Sequence, residues 1–124
     1  MSEELLGVVV CHGALAGALV QAAEQISGLT GALVPVSNSG CDRDTLEERV
    51  LAALQGRPAV VFVDLASGSC SFAVLKRLRG EPSVKVVTGV NLAMLVDFVF
   101  HRSLSPGDAA AHAVAAGEKS IKVP

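Results

Sequence analysis

Tryptophan and tyrosine are absent from this chain, and four phenylalanines stand in their place. The formal net charge of -2 offers no basic footprint either. A protein without stacking rings or a cationic surface lacks the usual means of holding nucleic acid, so no nucleic-acid partner is expected. Charged residues are scarce, 18% against 51% hydrophobic, which excludes a solvated disordered polymer and calls for a packed core. Long apolar runs are missing as well. No stretch reaches the ~20 residues that span a bilayer, and Met1-Ser2-Glu3-Glu4 is acidic where a signal peptide is basic. A cytoplasmic protein is expected. The three cysteines, Cys11, Cys41 and Cys70, are an odd number without CxxC spacing, which argues against a disulfide framework and a structural zinc site. With 124 residues, no internal repeat and no linker, the chain reads as one domain over residues 1–124.

What is present is an alternation of strand and helix signals. Leu5-Leu6-Gly7-Val8-Val9-Val10-Cys11 is a continuous β-branched run of the kind buried on both faces of a parallel sheet. Leu15, Leu19, Ala22, Ala23 and Ile26 then recur at helical spacing, and Gly28 punctuates the end. Residues 32–36 make a second strand. Asp42 or Asp44 is a candidate N-cap for a second helix with Leu46, Val50, Leu51 and Leu54 as its buried stripe. Residues 59–63 form a third strand before a helix near residues 70–79, and residues 84–88 a fourth before a helix near residues 91–100. Ser105-Pro106 caps and opens a last helix, and residues 120–123 read as a short C-terminal edge strand. Such βαβ units with right-handed crossovers predict an α/β fold, an open, doubly wound, mostly parallel sheet with helices on both faces.

Ligands bind such sheets outside the carboxyl ends of the strands, where the strand order reverses. That rule selects three loops: Cys11-His12-Gly13, Asp64-Leu65-Ala66-Ser67-Gly68-Ser69-Cys70 and Gly89-Val90-Asn91. If the first and third strands are neighbours, His12 and Asp64 face one another. A carboxylate beside an imidazole sets its tautomer and leaves the other ring nitrogen free to attack. The Ser67-Gly68-Ser69 stretch opens a helix, whose backbone N–H groups, hydroxyls and dipole favour an arriving phosphoryl group. Imidazole, carboxylate and anion cradle together describe reversible phosphoryl transfer. The cradle lacks the lysine of a Walker-type loop, which argues against ATP hydrolysis. His101 and His112 have no evident partners and read as surface positions.

Three segments carry a family resemblance: Val8-Val9-Val10-Cys11-His12-Gly13-Ala14-Leu15-Ala16, Phe62-Val63-Asp64-Leu65-Ala66-Ser67-Gly68-Ser69, and Val87-Thr88-Gly89-Val90-Asn91-Leu92-Ala93-Met94-Leu95-Val96. In this order they resemble the mannose-class IIA component of the bacterial phosphoenolpyruvate-dependent sugar phosphotransferase system. The resemblance implies a phosphohistidine carrier that needs no cofactor or metal. It would accept a phosphoryl group from the phosphocarrier HPr on His12 and pass it to a IIB component for sugar uptake and phosphorylation. Asp64 matches the orienting carboxylate, Gly68 and Ser69 match the Gly-Ser that receives the phosphoryl oxygens, and Asn91 matches the asparagine beside the site; Ser67 and Gly13 complete the phosphoryl-binding set expected here. The resemblance further implies a homodimer in which the terminal strand is exchanged, and membrane association only through permease partners.

Two alternatives stand beside this. A stand-alone domain of the same fold also suits a regulatory module that reports phosphorylation state to another protein. Cys70, at a helix N-terminus near His12, could instead form a thiol nucleophile with its pKa lowered by the dipole, or join His12 and Cys41 as a soft metal ligand. The basic residues Lys76, Arg77 and Arg79 fall at the end of a helix, where they complement its dipole.

Overall fold

The computed structural model describes residues 4–124, so that Met1, Ser2 and Glu3 of the acidic N-terminus lie outside the described residues. Among the described residues the elements are β1 Leu6–Cys11, α1 Leu15–Ser27, β2 Leu33–Ser37, α2 Arg43–Leu54, β3 Ala59–Val63, α3 Ser69–Leu78, β4 Val84–Thr88, α4 Leu92–Val99 and α5 Pro106–Lys119. All strand pairs are parallel, in the order β2-β1-β3-β4. The chain first winds outward from β1 to β2 and then crosses back to β3, so the order reverses between β1 and β3.

The apolar runs become the central strands for the reason their composition suggests. Every residue of β1 and β3 is buried, because both strands have a neighbour on each side and helices above and below. Val9, Cys11, Val60 and Phe62 face a core formed with α1, α4 and α5, while Val8, Val10, Val61 and Val63 face a second core formed with α2 and α3. Phe62 packs edge-on against Phe98 of α4, with centroids 5.4 Å apart. Gly7 lets α4 and β2 come close. A Cβ there would stand 2.6 Å from Leu33 Cδ2 and 2.7 Å from Phe98 Cε2.

The caps form as their sequences predict. Asp42, rather than Asp44, caps α2 by accepting a hydrogen bond from Thr45 N at 2.9 Å, and Ser105 caps α5 ahead of Pro106. Gly28 ends α1 in the left-handed conformation.

Three expectations need correction. The buried stripe of α1 is Ala16, Val20 and Ala23, while Leu15 and Ile26 are exposed. The helix gathers Gln21, Glu24 and Gln25 on one side, and packing against the sheet and α4 turned Ala16, Val20 and Ala23 inward. Leu51 of α2 is likewise exposed. In the single chain residues 120–124 form no strand and are exposed throughout. The outer edge of β4 stays open beside α5, along a groove of about 640 Å³ lined by Val86, Val87, Ala110 and Val114. Among the described residues no helix is long and apolar enough to cross a membrane.

Candidate functional site

His12 and Asp64 lie one residue beyond the ends of β1 and β3, at the point where the strand order reverses. Parallel pairing sets Val10 against Val63, and Asp64 N donates to Val10 O at 3.3 Å, so the two loops start side by side. The sheet delivers both side chains to one place.

One carboxylate oxygen of Asp64 receives two hydrogen bonds from His12. The backbone N–H donates to Oδ2 at 2.9 Å, and ring Nδ1 lies 2.9 Å from the same oxygen. An ionised carboxylate only accepts, so Nδ1 carries the proton and the free lone pair is on Nε2. The second oxygen, Oδ1, accepts from Leu65 N at 3.0 Å. Burial pushes the Asp64 carboxyl up. The hydrogen bonds from the His12 backbone and ring, the charge of the ring and the Leu65 N–H together outweigh burial and hold its pKa below the ordinary value. Asp64 is 10% exposed and the His12 ring 40%, so the ring has a buried edge held by carboxylate and an open edge facing out.

Gly68 stands at that open edge. It is the N-cap of α3 at φ 105, and a Cβ on it would lie 3.9 Å from His12 Cε1 and 4.0 Å from Nε2. A side chain here would be strained and would fill the space in front of the reactive nitrogen. No side chain caps α3, so its first N–H groups are left for an incoming anion. Ser67 and Ser69 are exposed on either side of Gly68. Buried Ser71 anchors the loop by donating to Ala66 O at 3.1 Å.

Gly13 has φ 59, and two residues outside the predicted set brace it. Asn38 Oδ1 accepts from Gly13 N at 3.0 Å, and Ser37 Oγ donates to Gly13 O at 2.6 Å. Arg49 of α2 holds that loop in turn, donating to Ser37 O and Ser39 O at 3.0 Å each. Ser37 and Asn38 lie at the carboxyl end of β2, the neighbour of β1, and the rule that selected the other loops also covers them. Asn91 lies on the loop after β4, the neighbour of β3. It caps α4 through Met94 N at 3.1 Å, and its amide donates to Gly117 O at 3.2 Å, joining α4 to the end of α5.

The thiols differ from the expectation of an activated nucleophile. Cys70 is fully buried, and burial followed by the Asp64 charge pushes its pKa up to about 11, only partly offset by a hydrogen bond from Ser69. Cys11 is pushed up to about 12 by burial, Asp64 and Cys70. Desolvation and a neighbouring anion outweigh the helix dipole, so neither thiol ionises near neutrality. Cys41 does not join them, and its Sγ instead donates to Asn38 O at 3.0 Å. The ligand atoms of His12, Asp64 and Cys70 lie within 4.8 Å of one another, a set that would hold a soft ion only with the Cys70 proton removed. His101 and His112, expected as isolated surface positions, share a partner in Asp97.

The sequence matches the EIIA-man family, described as PTS system fructose IIA component, over residues 7–115. No curated protein sequence matches the chain. Its fold is similar to that of several solved structures. The phosphotransferase system component EIIA from Streptococcus agalactiae superposes with a TM-score of 0.87 at 18% identity, covering 96% of each chain. The mannose/sorbose specific IIA subunit from Enterococcus faecalis gives 0.85 at 20% identity, over 98% of this chain and 96% of that one. The PTS IIA protein associated with the fucose utilization operon from Streptococcus pneumoniae gives 0.74 at 21%, over 99% and 96%.

Proposed function

The chain belongs to the EIIA-man family of IIA components, which serve phosphoryl transfer in sugar uptake, and from that premise we propose that it carries the phosphoryl group on His12, taking it from HPr and giving it to a IIB component. The observation that carries this is the 2.9 Å contact of His12 Nδ1 with Asp64 Oδ2, which leaves Nε2 as the nucleophile facing Gly68 and the uncapped start of α3.

Nε2 attacks the phosphorus of the donor's phosphohistidine in line. The new N–P bond forms as the donor's N–P bond breaks, and the donor nitrogen leaves with that electron pair. The ring gains positive charge while it is bonded at both nitrogens, and the Asp64 carboxylate stabilises that charge. The phosphoryl oxygens are received by the N–H groups at Gly68 and Ser69, with the hydroxyls of Ser67 and Ser69 beside them. Little beyond positioning and electrostatics is needed, because phosphoryl transfer makes few covalent demands on the protein. The reverse steps deliver the group to IIB. Leu65 and Phe72, 55% and 51% exposed, give the two protein partners apolar contact beside the site.

The proposed assembly is a homodimer joined by exchange of the C-terminal segment. Its support is the open edge of β4 together with an exposed tail that carries Ile121 and Val123.

Incubation with phosphoenolpyruvate, enzyme I and HPr from the same host tests the carrier reading. One acid-labile, alkali-stable phosphoryl group per chain is expected, lost in His12→Ala and largely kept in Cys70→Ser. Label that persists in His12→Ala, or wild-type protein that takes none, would overturn it.

A further inference from the structure

Beyond the His12 site, the end of α4 folds back onto α5 and brings three metal-binding side chains to one corner. Asp97 lies in the last turns of α4, His101 just beyond its end and His112 on α5. His112 Nδ1 is 2.9 Å from both carboxylate oxygens of Asp97. His101 Nδ1 is 2.7 Å from the Asp97 backbone oxygen and 3.6 Å from Oδ1. The two imidazole rings lie over each other with centroids 3.9 Å apart and a tilt of 31°. One ligand atom from each of the three side chains lies within 4.8 Å of the other two.

We propose that Asp97, His101 and His112 form a binding site for a divalent transition-metal ion, with zinc the preferred occupant, which clasps the end of α4 to α5. Two imidazoles and one carboxylate are a mixed nitrogen and oxygen set that suits zinc, whereas magnesium and calcium require more oxygen ligands. The spacing fits as well. Ligand atoms on a tetrahedral zinc ion with bonds of ~2.1 Å stand about 3.4 Å apart, against 2.9 Å between His112 Nδ1 and Asp97 Oδ1, while His101, whose Nδ1 now donates to the Asp97 backbone oxygen at 2.7 Å, would turn from that bond to present an unprotonated ring nitrogen to the ion. The ion would take the place of the proton now shared by His112 Nδ1 and the carboxylate. Asp97 is 13% exposed, so its charge sits on a largely buried base, while His101 and His112 are 33% and 50% exposed and leave a side open for water as the fourth ligand.

The location suggests a structural role for the ion. At the other end of α4, Asn91 already joins that helix to Gly117 and Ser120 at the end of α5. A metal between Asp97 and His112 would fasten the same two helices a second time, and α5 flanks the open edge of β4. The His12 phosphoryl site is built from other elements and does not depend on this ion.

The experiment is zinc titration of the metal-free full chain by calorimetry, with thermal unfolding and the histidine ring ¹⁵N resonances followed in parallel. One zinc per chain is expected, with a raised Tm and shifts in the His101 and His112 rings. His112→Ala and His101→Ala should each weaken binding at least about tenfold, while His12→Ala and Cys70→Ser bind as the wild type does. His112 is half-exposed, so His112→Ala should fold, and circular dichroism checks it. No binding at about 100 μM zinc, or wild-type binding in His112→Ala, would overturn the proposal. So would loss of binding in His12→Ala or Cys70→Ser, which would assign the ion to the other cluster.

Discussion

Replacing Asp64 by Asn removes one charge and almost no volume, which isolates what the carboxylate does for His12. In the wild type Oδ2 accepts from the His12 backbone and lies against ring Nδ1, while Oδ1 accepts from Leu65 N. All three groups seek acceptors, and an asparagine has only one oxygen. Its NH₂ must then face either Leu65 N or His12. Facing His12, it would oppose the backbone N–H and would donate to Nδ1, which moves the ring proton to Nε2 and removes the nucleophile's lone pair. Hydrogen bonds to a charged group contribute about 1.5–3 kcal/mol each. With the ring 40% exposed, the lower end applies, and the net loss in stability should be about 2 kcal/mol. The rate should suffer more. A mis-set tautomer in a proton-relaying triad slows turnover about 10⁴-fold. No proton has to be relayed here, so a fall of roughly 100- to 1000-fold in the rate of phosphorylation is expected. Rapid-quench transfer from labelled phospho-HPr measures the rate, and ring ¹⁵N shifts report the tautomer. The pH dependence carries its own sign. The folded pKa of Asp64 lies below its ordinary 3.8, so its stabilisation is complete above that value and fades as pH falls through the folded pKa. The stability gap between wild type and Asp64→Asn should therefore narrow below about pH 4. Phosphorylation of Asp64→Asn within threefold of wild type, with the proton still on Nδ1, would show that Asp64 does not orient the ring.

The remaining predictions concern space and assembly. Gly68→Ala puts a methyl group 3.9 Å from His12 Cε1 at a φ of 105, and should slow labelling strongly while costing about 1–3 kcal/mol of stability, read by urea unfolding. Gly7→Ala drives a Cβ to 2.6 Å from Leu33 and 2.7 Å from Phe98, and should destabilise the fold by about 1–3 kcal/mol, while the surviving folded protein labels at the wild-type rate. Deleting residues 120–124 should weaken the proposed dimer in sedimentation velocity at micromolar concentration. Wild-type chain that sediments only as monomer there would refute that assembly.

Local chemistry made much of this protein legible in advance. The β-branched runs of β1 and β3, the capping Asp42 and Ser105, and Gly28 at the end of α1 act over a few residues, and each forms where its neighbours in sequence dictate. The carboxyl-edge rule then pointed to His12 and Asp64, because in a parallel sheet the loops that follow strands meet on one side whatever the helices do. Other features depended on distant contacts. Which part of the apolar side of α1 is buried was set by its packing against the sheet and α4. Ser37 and Asn38 became braces for Gly13 because β2 pairs with β1. The thiol of Cys70 is governed by burial and by Asp64, which outweigh the helix dipole suggested by its position in the chain. Asp97, His101 and His112 are drawn together only because α4 folds back on α5. Hydrogen bonding within a turn, and side-chain spacing along one element, are properties of sequence. Desolvation, and the meeting of charges from separate elements, exist only after the chain has packed.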